Sequence, residues 1–337
     1  MEALPVINNK INNKQLELGV CELEIEEPTS SLLLTDEDVQ FITSFEEKVK
    51  STIEKYSLFF KEDKILVAAS GGKDSTVALY LLWKLGYNIE AINIDTGLGE
   101  YSCQNTINLE IFCKEHNIKL HKSSFRDAFG FGTCYIRDVL AEKGFDLNSC
   151  TICGVIRRVI MNQHIRKLGA DKTVTGHNAD DESEAVMMNF FRNNLNIAAR
   201  QGPTSGIVKH ELFVPRVKPL YFCTVKEITR YSKLKKFKVH YGACPCSADA
   251  YRNTLRQLFK EIEADNASSD LGSRDQHSRY FPMIKENILR NFVNILPKLK
   301  QHYSSTDNHN KINACNNCGE PTKNQICQAC NIIALVK

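Results

Sequence analysis

Hydrophobic positions alternate between two spacings along most of the chain. Short apolar runs recur at 65–69, 89–94, 118–123 and 172–175, each bounded by glycine or polar clusters. Between them, apolar residues fall three and four apart, as on one face of a helix. The pattern predicts strands at those four runs, with helices at 74–85, about 101–116, most of 125–142, 154–168 and 180–194. Upstream, Thr35 precedes Asp36-Glu37-Asp38 as a helix cap, and Val39, Phe41, Ile42, Phe45, Val49 and Ile53 form one buried face. This alternation predicts an α/β fold: a parallel five-stranded-type sheet with helices on both faces. Ligands of such sheets lie beyond the carboxyl ends of the strands. The loops at 70–75, 95–99 and 176–181 should therefore surround one site.

The pattern changes after residue 200. Pro203, Pro215 and Pro219 break it up, and 214–220 reads as extended. A helix at 224–235, a short strand near 237–241 and a helix at 247–263 follow, the last with Arg252 and Arg256 one turn apart. A polar loop at 265–279, a helix at 281–301 and a polar linker at 304–310 lead into a cysteine-rich tail. Residues 1–35 are rich in Asn and Glu with weak periodicity, hold a lone Cys21, and read as irregular. The implied organisation is an N-terminal segment at 1–44, a nucleotide domain at 45–265, a helical segment and linker at 266–310, and a metal module at 311–337. The CxxC pairs are the only internal repeat found.

Hydrophobic content of 42% with 25% charged residues is that of a soluble globular protein. No apolar stretch approaches the roughly 20 residues of a membrane span. The N-terminus does not look like a leader, so no membrane partner and a cytoplasmic location are expected. Thirteen cysteines then sit in a reducing compartment, where CxxC spacing points to metal rather than disulfides. The net charge of +3 selects no partner. Basic residues concentrate at 226–240, which suits a solvated face or a polyphosphate.

Three constellations carry chemistry. Ser70-Gly71-Gly72-Lys73-Asp74-Ser75 follows a strand and opens a helix, which makes an anion site. Its glycine spacing is not that of a Walker A loop; it matches the SGGxDS pyrophosphate loop of adenylating ATP pyrophosphatases. Cys315-x2-Cys318-x8-Cys327-x2-Cys330 supplies four thiolates for structural Zn²⁺, in a tail too poor in apolar residues to fold alone. A redox dithiol is the alternative for either pair. Cys150-x2-Cys153, with Cys244 or Cys246 downstream, offers three ligands that could hold an iron–sulfur cluster with one iron open. The alternatives there are a redox pair and a small core cysteine. Cys103, Cys113, Cys134 and Cys223 read as core residues.

Together with Gly176-His177-Asn178-Ala179-Asp180-Asp181-Glu182, Arg200-Gln201-Gly202-Pro203, Pro215-Arg216-Val217-Lys218-Pro219-Leu220 and Cys244-Pro245-Cys246-Ser247, these motifs resemble the tRNA 2-thiolation enzymes of the TtcA/TtuA family, PP-loop ATP pyrophosphatases, over about residues 45–260. The paired knuckles of the tail resemble the TtuA branch, which includes the cytosolic wobble-uridine thiolases.

That resemblance implies ATP-dependent sulfur insertion. ATP adenylates the C2 oxygen of a tRNA uridine, pyrophosphate leaves, and sulfur replaces the oxygen. Ser70, Gly71, Gly72, Lys73, Asp74 and Ser75 would hold the pyrophosphate, with Asp74 on Mg²⁺; Asp95 and Gly176 would face the nucleotide. Asp181 would be a catalytic acid/base or metal-positioning group with Asp180 beside it, although acids at a helix start are also dipole partners. Cys150, Cys153 and Cys244 would carry a [4Fe-4S] cluster, with Cys246, where the family commonly has an aromatic, as the alternative third ligand. Arg157 stands where the branch often has lysine; it keeps the charge but cannot act as a neutral base. Arg157, counted with Asp74 and Asp181 as catalytic, and Arg158 would neutralise phosphate near the site or solvate a helix face, and the tail, the 226–240 stretch, Arg252 and Arg256 are the candidates for tRNA contact. The donor would be a ubiquitin-like sulfur carrier or free sulfide, and the chain would form a homodimer. The branch's N-terminal zinc module is absent or degraded, since only Cys21 lies there. Two other readings are a PP-loop adenylating enzyme that modifies tRNA without a cluster, and a non-catalytic zinc-ribbon RNA-binding protein.

Overall fold

The structure, a computed structural model, describes residues 34–207, 212–242, 244–247, 251–268, 283–307 and 312–337. Its centre is β1 (Ile65–Ala68), whose Ile65, Leu66 and Val67 are fully buried because helices cover both faces. β2 (Ile89–Asp95) and β3 (Leu120–Ser124) lie to one side of it. β4 (Lys172–Thr175) and the two-residue β5 (Arg216–Val217) lie to the other. The order is β3-β2-β1-β4-β5 and every pair is parallel, so the predicted five-stranded sheet is present. The winding direction reverses between β1 and β4, which opens a crevice beyond their carboxyl ends.

The helices are α1 (Asp36–Lys55), α2 (Lys73–Lys84), α3 (Glu100–Glu115), α4 (Phe125–Phe129), α5 (Thr133–Glu142), α6 (Ser149–Lys167), α7 (Ala179–Phe191), α8 (Leu195–Ala198), α9 (Val225–Leu234), α10 (Arg252–Ser268), α11 (Ile284–Asp307) and α12 (Gln328–Val336). The capping box of Thr35 with Asp38 starts α1. Phe45, Val49 and Ile53 of α1 join Leu79 and Leu82 of α2, Leu109 of α3 and Ile228 and Tyr231 of α9 in the main core. A second core joins Ile136 and Leu140 of α5 and Ile152 and Ile156 of α6 to Ile332, Ile333 and Val336 of α12. The tail hairpin, β6 (Asn313–Ala314) with β7 (Pro321–Thr322), is antiparallel.

Four sequence expectations change. The segment 125–142 is two helices, because Gly130 adopts a left-handed conformation (φ 88°) that ends α4. α6 starts at Ser149 rather than 154, capped by the Asn148 side chain, which accepts the Thr151 N–H at 2.8 Å. Cys150 and Cys153 therefore lie on its first turn. No strand forms at 237–241; only His240 bridges, to Gly72. Both edges of β1 are already occupied, so this segment can pair only past the end of that strand. Finally, a tight turn over Pro245–Ser247 precedes α10, which runs on to Ser268, and α11 continues to Asp307. The readings for Cys21, for the rest of 1–33 and for the remainder of the polar loop lie outside the described residues.

Candidate functional site

The loop after β1 is shaped by what stands behind it. Gly71 has φ 82°, and a Cβ there would lie 2.0 Å from the Asn105 carbonyl oxygen on α3. The Ser75 hydroxyl accepts the Ser70 N–H at 3.2 Å and donates to the Gly72 carbonyl at 3.0 Å. Gly72 is the N-cap of α2 and its side makes no cap bond, so the helix start offers free amides to an anion. Gly176 must also be a glycine: its Cβ would come 2.8 Å from the Ser75 nitrogen. The β1 and β4 loops thus interlock by backbone approach.

Asn178 ties the acids together. Its amide donates to Asp74 Oδ1 at 3.1 Å, and its Oδ1 accepts the Asp181 N–H at 3.1 Å. Asp74 also pairs with Lys73 at 2.9 Å. Asp181 accepts from Arg252 at 3.3 Å. Arg256 makes two bonds to Glu184, at 3.0 and 3.2 Å, so both arginines of α10 are directed at acids of α7. The two oxygens of Asp180 are engaged by Lys285 of α11 at 2.6 Å and by the Val225 N–H at 2.8 Å. That geometry makes Asp180 a brace between α7, α9 and α11. Beside these groups, the enclosing protein and then the Lys218 cation push the His177 ring down to about 4. Lys218 itself pairs with Glu182 at 2.7 Å.

A cavity of about 270 Å³ opens beyond β1 and β2. Ser70 of the loop, Asp95, Arg157 and the cysteines 150, 153, 244 and 246 line it. Two of the three predicted loops, 70–75 and 95–99, therefore border this hollow together with the cysteine set, while the third, 176–181, meets the glycine loop through Gly176 and Asn178 without lining it. Asp95 keeps its loop closed by accepting the Gly97 N–H at 2.9 Å. Burial raises the Cys153 thiol, and the Arg157 charge pulls it back. Cys244 is raised by burial as well. Among the described residues, only the tail forms a group of thiols close enough for a single ion; the cavity cysteines do not.

Cys315, Cys318, Cys327 and Cys330 of the tail have sulfur atoms within 4.8 Å of one another and could hold a metal ion. The Cys327 N–H donates to Cys315 Sγ at 3.2 Å, and Cys327 caps α12. Burial raises the Cys315 thiol, but backbone amides led by that of Cys327 outweigh it and hold it at about 6. The tail grips α6. Glu320 pairs with Arg166 and accepts from Asn162 at 3.2 Å, and the Cys318 carbonyl accepts from Gln163 at 3.4 Å.

Other basic residues divide into two groups. In the 226–240 stretch, Arg230 pairs with Glu37 and Asp38 at 2.9 and 3.1 Å, and Lys235 approaches Glu46 at 3.8 Å. Part of that charge is thus answered by α1. Among the described residues, Arg158 and Arg216 are not answered in this way. Surrounding protein lowers both, followed by the Arg157 charge at Arg158 and by the Arg158 charge at Arg216, which is brought to about 10.

Asn178, Glu184, Lys285 and Asn105 are the positioning residues that sequence reasoning missed. Asn178 stood inside a quoted motif; the others carry no local signal. Cys134 was read as core, and the structure corrects this: it is only partly buried and lies within electrostatic reach of Cys246. Cys103 is also only partly buried, at the open face of α3, whereas Cys113 and Cys223 are core residues as expected. No helix among the described residues is long and apolar enough to cross a membrane.

Comparison with known proteins agrees with this geometry. The chain is 31% identical over 293 residues to a tRNA-5-methyluridine(54) 2-sulfurtransferase of Pyrococcus horikoshii, covering 87% of this chain and 86% of that protein. It is 32% identical over 302 residues to the cytoplasmic tRNA 2-thiolation protein 1 of Candida glabrata, covering 87% and 78%. Among solved structures, the U34-tRNA thiolase NcsA from Methanococcus maripaludis, determined with its [4Fe-4S] cluster, aligns with a TM-score of 0.62 at 29% identity, over 77% of this chain and 80% of that one. Residues 41–262 match the model of the PP-loop domain. With that match and these relatives, the chain belongs to the PP-loop family, in the company of the tRNA 2-thiolation proteins.

Proposed function

We propose that the chain is a tRNA 2-sulfurtransferase that adenylates the C2 oxygen of a tRNA uridine with ATP and replaces it with sulfur. The observation that carries this reading is the single cavity bordered by Ser70, Asp95 and the cysteines 150, 153 and 244. Activation and sulfur delivery must act on one carbon, so their machinery has to share a hollow.

In this reading the amides at Gly71, Gly72 and the start of α2 bind the departing pyrophosphate, and Lys73 adds charge to it. Asp74 and Asp181, aligned through Asn178, hold Mg²⁺ on the phosphates. Arg252 orients Asp181. Asp95 and the backbone at Gly176 receive the nucleoside. Adenylation turns a poor oxide leaving group into AMP. Cys150, Cys153 and Cys244 fit a [4Fe-4S] cluster in their donor chemistry: three thiols line one cavity. Such a cluster, when bound, supplies an iron on which sulfide can be presented as nucleophile. Arg157 keeps the cavity electropositive for the incoming anions. Arg158, Arg216, Lys226 and Lys233 offer contacts to tRNA phosphates. Four tail thiolates fit Zn²⁺, which would fix the tail against α6.

The test is anaerobic reconstitution of the full chain with iron and sulfide, followed by incubation with ATP, sulfide and unmodified tRNA. Nucleoside mass spectrometry should show 2-thiouridine, lost in Lys73→Ala and Asp181→Asn. A colourless protein that modifies tRNA with ATP but without iron would replace this reading with a cluster-free adenylating enzyme. Unchanged tRNA under all conditions would leave an RNA-binding protein.

A further inference from the structure

The cavity holds one thiol more than the proposed chemistry needs. Cys244 and Cys246 both border it opposite Cys150 and Cys153. Cys150 donates from its Sγ to the Cys246 carbonyl at 3.3 Å, which ties the Cys246 backbone to the first turn of α6. The Cys134 thiol, at the start of α5, and Arg137 lie within electrostatic reach of the Cys246 thiol. Cys246 sits on the tight turn Pro245–Ser247, whereas Cys150 and Cys153 are fixed on a helix. Neither Cys244 nor Cys246 is held in an α-helix or a strand.

We propose that Cys246 is a fourth, exchangeable thiolate ligand of the cluster, closing the iron left open by Cys150, Cys153 and Cys244, and that Cys134 receives its sulfur when hydrosulfide takes that place. This deepens the sulfur-transfer reading and rests on it. The exchange breaks one iron–sulfur bond, to Cys246, and forms one, to hydrosulfide. The proton stays on the incoming sulfur and no electron moves. The departing Cys246 thiolate accepts the Cys134 S–H and lies within the field of Arg137. A cluster held by four cysteines keeps its fourth iron under mild oxidation, whereas one held by three sheds it to give a three-iron cluster. Cys246 would thus guard the cluster until sulfide arrives.

The test is anaerobic reconstitution of the full chain, brief ferricyanide oxidation, and EPR detection of the three-iron cluster. The wild-type protein should resist, and Cys246→Ser should convert roughly tenfold faster or more, the usual scale for losing a ligand-shell contact. Tail metal content should be equal in the two proteins, which shows that the variant is folded. Cys134→Ser should resist like wild type, and added sulfide should make the wild type as sensitive as Cys246→Ser. Equal conversion of wild type and Cys246→Ser overturns the proposal while leaving the three-cysteine cluster in place. So does a Cys134–Cys246 disulfide mapped in the loaded protein. A Cys246→Ser protein that assembles no cluster makes Cys246 the third ligand, and also overturns it. A wild-type protein that assembles no cluster overturns both this proposal and the reading beneath it.

Discussion

The chain uses the CxxC motif three times, in two contrasting surroundings. In the tail, two knuckles face each other across a hairpin, their sulfurs lie within 4.8 Å, and backbone amides point at them. Nothing is left open. In the crevice, a single CxxC occupies the first turn of α6, and its partners come from a turn nearly a hundred residues downstream across a 270 Å³ cavity. Spacing alone does not distinguish these sites. What distinguishes them is what the fold places opposite: a second knuckle gives a closed tetrad, while a hollow shared with an anion loop gives a site that can admit a reactant. Closure suits a structural ion and openness suits chemistry.

The comparison can be broken at either site. The largest effect is expected from Cys153→Ser, which should lower sulfur transfer to background while tail metal and thermal unfolding stay as in wild type; thionucleoside and metal analysis of the same sample checks this. Cys327→Ser should do the reverse. It should destabilise the chain by about 3 kcal/mol or more, because structural metal binding is folding energy, read as a fall in Tm with loss of tail metal. Gly71→Ala sharpens the contrast by acting on the loop alone. Its Cβ would strike the Asn105 carbonyl, at a cost of about 2 kcal/mol, and calorimetry should show weakened ATP binding with cluster content unchanged. The smallest effect concerns pH. His177 is held near 4 in the folded protein against 6.5 ordinarily, so the unfolded chain binds more protons below pH 6.5. Stability should be fully present above 6.5 and decline as pH falls toward 4. Because His177 is exposed to solvent in the folded chain, the contribution is about 1 kcal/mol or less. His177→Gln should flatten that part of a denaturation series.

Much of the fold could be read from the residues. Apolar runs bounded by glycine marked four strands, and their loops did converge, because a parallel sheet leaves its ligands nowhere else. The tail tetrad was legible because its four ligands are close in sequence. Contacts between distant segments were not. Nothing local in Asn105 says that its carbonyl stands behind Gly71. Lys285 meets Asp180 from 105 residues away, and nothing local in Arg252 and Arg256 says that they pair with acids of α7. The missing strand at 237–241 shows the same limit. Its alternation is real, but a strand needs a free edge, and β1 has none. Cys134 looked like core because its neighbours are apolar; its position beside Cys246 depends on the break at Gly130 that starts α5 afresh.

α6 is a lever with one cysteine site at each end. Its amino end bears Cys150 and Cys153, and Asn162, Gln163 and Arg166 in its last turns grip the tail. The two sites are mechanically in series, which imposes an order of maturation. A tail that has not closed leaves α6 without the Glu320 anchor and without the apolar cover of α12, so the iron ligands have no fixed position to take up. If the tail holds zinc and the crevice a cluster, as proposed, zinc loading would act as a checkpoint for iron loading, and a chain made in zinc-starved cells would fail first at its cluster.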